Sequence, residues 1–138
     1  MKTQFLIFSI LLMSLTFCNK EDAANSALFQ TWEVKDFMSL ESKAYPKNEN
    51  NKILLTFNKS GTYNLKLDIN NCNGRFITSK DKHISMASTA CTKVCCDSEF
   101  SEKLTATLPK VKTYIIDGNM LRLEVPEWGF IKLELVSN

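Results

Sequence analysis

The chain has a single histidine, His83, and only four glycines, at positions 61, 74, 118 and 129. Glycines so widely scattered exclude a glycine-rich phosphate loop, whose backbone must approach the anion closely at neighbouring positions. Charge of one sign is also missing. Seventeen Lys and Arg against fifteen Asp and Glu leave a formal charge of +2. No basic face follows from that balance, and nucleic acid is excluded as a partner. No apolar run reaches the about 20 residues that a membrane-spanning helix needs. What remains is an ordinary globular composition, 44% hydrophobic and 23% charged, sufficient for one domain with one core and too short for two.

The first segment present is "MKTQFLIFSILLMSLTFCNKED". Lys2 gives a small positive start, and residues 5–15 are apolar except for Ser9 and Ser14. That length suits the hydrophobic region of a secretory signal. A small-residue cleavage site does not follow; the run ends at Cys18, after Phe17. The segment resembles a bacterial lipoprotein signal, cut before a cysteine that then carries lipid. It departs from that pattern at Phe17, where a small residue is usual. A buried N-terminal helix is the bland alternative, but residues 5–15 offer it no solvent face. Plain secretion with Cys18 unmodified is the other. Several acyl chains on one cysteine anchor a protein durably. The reading is therefore a signal peptide at 1–17, lipidation at Cys18, a polar tether at 18–27, and one domain at 28–138. Loss of the signal removes Lys2 and lowers the formal charge to +1. Asn19 is not the aspartate that marks inner-membrane retention, so an outer-membrane lipid anchor is expected, facing the periplasm or the surface.

Alternation dominates the domain. Trp32 and Val34 alternate with Thr31, Glu33 and Lys35. Residues 39–51 are polar, contain Pro46 and read as a loop. "KILLTF", "NKSG" and "TYNLKLDI" read as two strands and a turn, with Tyr63, Leu65, Leu67 and Ile69 on one face. Short strands are expected at 75–78 and 83–86. In 97–108 the period changes: Phe100, Leu104 and Leu108 share one helical face, Asp97 or Ser98 can cap it, and Pro109 stops it. "DGN" joins "KVKTYII" to "MLRLEV" as a hairpin, and "FIKLELV" follows the turn "PEWG". The expectation is an α+β domain of mostly antiparallel sheet, half-barrel or sandwich-like, with one main helix near 97–108.

Cys72, Cys91, Cys95 and Cys96 remain after Cys18. Outside the cytoplasm four such cysteines point to disulfides, with three possible pairings. Adjacent cysteines in a strand face opposite ways, so Cys95 and Cys96 are expected to have different partners. Zinc is the sharper alternative, but the cluster lacks the common paired spacing. A cysteine nucleophile with His83 as base is another, though His83 sits in a charged turn. No metal or cofactor is expected. The aromatic residues Trp32, Phe57, Tyr63, Tyr114 and Phe130 read as core, and Trp128, in a turn, as the candidate exposed contact. The acidic pairs Glu33/Asp36 and Glu99/Glu102 read as solvated faces and helix-dipole partners.

Several segments together resemble the META domain, or HslJ-like, family. They are Trp32-Glu33-Val34, "NCNGRF" at 71–76, "TKVCC" ending at Cys96, the helix, and the run Tyr114, Ile116, Gly118, Leu121, Leu123. The resemblance covers about 28–136. It implies a non-enzymatic envelope lipoprotein linked to envelope maintenance or stress tolerance, with no established catalytic residues to carry over. Its partners would be the membrane, through the lipid, and an unidentified envelope protein, with the domain itself a monomer. It places Cys72 and Cys96 at recurrent positions and so implies a Cys72–Cys96 bond, leaving Cys91 to Cys95. Cys72–Cys91 and Cys72–Cys95 are the rival pairings. Two residues depart from the family: Asn71 stands where a glycine is usual, and Gly74 is inserted, which suggests a shifted turn or a bulge. "TWEV" and "LTFNKSGTYNL" also resemble lipocalin-like lipoproteins, whose hollow barrels hold a small apolar ligand. A third reading, an inhibitor of an extracytoplasmic enzyme, would present the 88–96 segment as a rigid loop.

Overall fold

The computed structural model describes residues 26–137. The expected signal, Cys18 and most of the expected tether lie outside the described residues. Among the described residues no helix is long and apolar enough to cross a membrane.

Two-residue periodicity produces the strands and decides which side of each is buried. β1 (Thr31–Ser39) buries Trp32 and Val34; β2 (Leu54–Phe57) buries Leu55 and Phe57; β3 (Thr62–Lys66) buries Tyr63 and Leu65. β4 (Asn71–Thr78), β5 (Ile84–Met86) and the two-residue β6 (Ala90–Cys91) follow. After the helical segment come β7 (Thr113–Asp117), β8 (Met120–Val125) and β9 (Gly129–Leu135). The "DGN" hairpin joins β7 to β8, with Gly118 at φ 56°, a region that glycine enters without Cβ strain.

Every strand pairing is antiparallel, in the order β5-β4-β3-β2-β1-β9-β8-β7, with β6 on the edge of β4. The two ends of this order approach each other. His83 bridges Thr113, Ile84 N–H donates to Lys112 O at 2.9 Å, and Tyr114 N–H donates to Lys82 O at 3.0 Å. Among the described residues, the antiparallel sheet with one main helix agrees with the sequence reading. Its shape goes further than a half-barrel or sandwich, because this seam nearly closes it into a barrel. A bulge between Val34 and Asp36, where β1 pairs with β9, adds local twist.

The helix α1 (Glu99–Thr107) begins at Ser98, whose Oγ accepts from Ser101 N–H at 3.3 Å. Glu99 and Glu102 occupy its first turn, where the dipole favours them. Pro109 sits in the 3-10 turn Leu108–Lys110 that ends the segment. Phe100, Leu104 and Leu108 are fully buried, and Phe100 stacks on Phe37 of β1 at 4.3 Å between centroids.

Two local expectations are corrected. Ile69 does not share the inward face of Tyr63, Leu65 and Leu67; it is half exposed. Regular pairing ends at Lys66, and the chain turns so that Asn70 points inward instead. Gly74 marks neither a bulge nor a shifted turn. It pairs directly with Tyr63 in an unbroken β3–β4 register.

Candidate functional site

Two surface features carry the polar chemistry of the domain. The first is the cysteine loop. Cys72 of β4 faces the interior, and β6 places Cys91 directly opposite it. Thr92 N–H donates to Asn71 O at 3.0 Å, so the pair flanked by that bond is a non-hydrogen-bonded one, where strands approach most closely. The Cα atoms are 4.0 Å apart, and the sulfurs are bonded. This corrects the expected Cys72–Cys96 and Cys91–Cys95 pairings. Cys95 and Cys96 are bonded to each other, so the expectation of different partners is also corrected. The opposite-face argument applies to a strand, and residues 95 and 96 are not in one.

Asn70 holds this loop. Its Oδ1 accepts from Thr92 Oγ1 and Val94 N–H, both at 2.8 Å. Its Nδ2 donates to Val94 O and to Asp97 Oδ2, both at 2.7 Å. Asp97 Oδ1 in turn accepts from the Ile69 and Asn70 N–H groups. Asp97 therefore braces the loop, and Ser98 is the helix cap. One turn below, Asp68 Oδ2 accepts from Ser98 N–H, Ser98 Oγ and Ser101 Oγ. Burial would raise the Asp68 pKa, but the hydrogen bonds from Ser101 and Ser98 outweigh it and hold the carboxyl below its ordinary value.

The second feature is the strap formed by residues 40–52, which arches from β1 over a groove of about 800 Å³ lined by Glu33, Lys35, Phe37, Tyr45 and Lys47. Three latches close it. Lys43 pairs with Glu99 of α1. Lys103 Nζ contacts both oxygens of Glu41, at 2.8 and 2.9 Å. Lys47 Nζ donates to Val34 O at 2.7 Å. Lys103 also lies 4.9 Å from the Tyr45 ring centroid and 5.2 Å from that of Trp128. Hydrogen bonds from Lys103, then Trp128 and Tyr45, hold Glu41 down to about 2. Trp128 is half-buried, packed edge-on against Phe37 at 5.8 Å. The candidate exposed contact is thus part of the strap's anchorage.

The other sequence candidates separate. Trp32, Phe57, Tyr63 and Tyr114 are core, and Phe130 is partly buried under Arg122. Strand register puts His83 beyond Thr78, at the opposite end of β4 from Cys72. A cysteine–histidine pair is therefore not assembled. Among the described residues no three His, Cys, Asp or Glu side chains group to hold a metal ion. Glu33 is bound by Lys35 at 3.0 Å, and Asp36 Oδ1 accepts from Phe37 N–H. Sequence reasoning missed Asn70, Asp68, Glu41, Tyr45 and Lys103. Apart from the Tyr45–Glu41 hydrogen bond within the strap, their partners lie far along the chain, and no local spacing signals them.

Among the described residues the architecture is a nearly closed antiparallel barrel with one main helix and a cysteine-stapled edge strand. The META domain family model matches residues 26–129, and the chain belongs to that family. No curated protein matches it. Among solved structures, a DUF4847 family protein from Bacteroides vulgatus superposes with a TM-score of 0.62 at 17% identity, over 84% of this chain and 99% of that one. A protein from Burkholderia xenovorans superposes with a TM-score of 0.67 at 15% identity, over 84% and 88%. At such identities the likeness is one of fold.

Proposed function

We propose that this META domain protein is a non-enzymatic envelope lipoprotein, held at the outer membrane through lipid on Cys18. It acts by protein contact in envelope maintenance or stress tolerance. One observation carries the reading: the barrel interior is filled. Trp32, Leu55, Tyr63, Tyr114, Leu123 and Leu133 are each 1% exposed or less. A packed barrel offers its partners a surface, not a chamber. The test is in-cell photo-cross-linking from the two apolar positions most open to solvent near the features above, Leu40 at 86% and Val94 at 58% exposure. The expected product is a discrete adduct with one envelope protein, lost when Cys18→Ala releases the domain from the membrane. Adducts to lipid alone, or none, contradict contact-based action.

A small-ligand carrier is the second reading, favoured by the near closure of the barrel at the His83–Thr113 seam. It requires an apolar ligand to displace core side chains. Trp32 reports on that directly: titration with a fluorescent fatty acid would shift its emission. The proposed function expects no shift.

A further inference from the structure

We infer that Cys95 and Cys96 form a dithiol–disulfide redox site that exchanges with an external dithiol while the rest of the domain stays folded. The inference goes beyond the tethered module and does not depend on what that module contacts. Four observations support it. Both residues are exposed, whereas in the other disulfide Cys91 is exposed but Cys72 is buried, and the two are held opposite each other by the β4–β6 pairing. The pairing of Cys72 with Cys91 leaves these two with each other. They lie outside any strand or helix, so no ladder hydrogen bond depends on them. Finally, the chain is pinned on both sides, by Asn70 at Val94 and by Asp97 to the Ile69 and Asn70 amides. A change at Cys95–Cys96 is thereby confined between fixed points.

The exchange balances as ordinary thiol–disulfide chemistry. A thiolate of the external dithiol attacks one sulfur, the Cys95–Cys96 bond breaks, and the displaced sulfur takes a proton. The second thiol of the reductant then attacks the mixed disulfide. The protein leaves as a dithiol, having gained two electrons and two protons, and the reductant leaves as its own disulfide. The natural reductant class is an extracytoplasmic dithiol oxidoreductase.

The experiment uses full-length protein extracted from membranes and titrated with dithiothreitol. Free thiols are alkylated and mapped by mass spectrometry, near-UV circular dichroism is followed in parallel, and a biotinylated phenylarsenical captures adjacent dithiols. The expected result is alkylation at Cys95 and Cys96 at least about tenfold faster than at Cys72 and Cys91. The near-UV spectrum stays unchanged, and arsenical capture is abolished in Cys95→Ser/Cys96→Ser. That double variant should keep the wild-type spectrum, which separates loss of capture from misfolding. Release of all four thiols together, loss of the near-UV signal along with the first two thiols, or a map joining Cys95 or Cys96 to Cys72 or Cys91 overturns the inference.

Discussion

Tyr63 lies over Gly74, its direct partner across the β3–β4 pair, and donates its hydroxyl to Ala87 O at 2.7 Å. A Cβ on residue 74 would overlap the Tyr63 ring. Burial pushes the Tyr63 hydroxyl up to about 12, so it remains a neutral donor at physiological pH. The inserted glycine is a packing requirement of one aromatic ring. Gly74→Ala is expected to lower stability by about 1–3 kcal/mol, as overpacking does. Urea unfolding measures it, and the double variant Gly74→Ala/Tyr63→Leu should recover part of the loss.

Asn70 is buried and makes four hydrogen bonds across a sequence gap of more than twenty residues. Truncation strands the Val94 N–H and C=O groups and the Thr92 hydroxyl. Asn70→Ala should cost about 2–4 kcal/mol, summed over several lost partners. Amide exchange at Val94 should speed up well before exchange in β3 or β4 does.

The Cys72–Cys91 bond closes a loop with a sequence separation of 19. Its removal in Cys72→Ser/Cys91→Ser should lower stability by about 3 kcal/mol. Thermal unfolding of the oxidised wild type and the variant gives the difference. No comparable loss is expected from Cys95→Ser/Cys96→Ser.

Asp68 makes part of the domain's stability acid-dependent. Its folded-state pKa is depressed below the ordinary value of 3.8, so its contribution is fully present above that value. The contribution is lost as pH falls through the lower, folded pKa. Asp68→Asn should flatten the acid limb of the stability profile and cost about 1.5–3 kcal/mol at neutral pH, the range for hydrogen bonds to a charged acceptor. Urea midpoints from pH 7 down to pH 2 test it.

The Glu41–Lys103 latch should govern the strap rather than the barrel. Lys103→Ala is expected to leave the global unfolding midpoint near wild type and to open residues 40–52 to limited proteolysis. In the wild type the latch should persist on acidification until pH approaches the depressed Glu41 value of about 2. Cleavage elsewhere first, in β4 or α1, would contradict it.

Much of the fold was legible because period and punctuation agree. Alternation around Trp32, Tyr63 and Leu123 marks strands. Phe100, Leu104 and Leu108 mark a helical face, and Pro109 its end. What escaped was set by long-range contact. β6 has two residues, too few for any period to register, yet it alone decides that Cys72 faces Cys91. Ile69 continued the alternation on paper, but the strand ends three residues earlier and Asn70 takes the inward place. Lys103 of α1 meets the strap residues Glu41 and Tyr45 only when α1 folds against β1. The family resemblance located the cysteines and mispaired them, since it carries positions and not the register of a two-residue strand.

The most direct test of the account is non-reducing peptide mapping of protein expressed with its own N-terminal segment and extracted from membranes. The account predicts a diacyl- or triacyl-modified N-terminal Cys18, Cys72 joined to Cys91, and Cys95 joined to Cys96. An unmodified Cys18 with residues 1–17 retained or removed elsewhere would contradict the envelope anchor. A Cys72–Cys96 bond would contradict the β4–β6 register on which the cysteine loop is built.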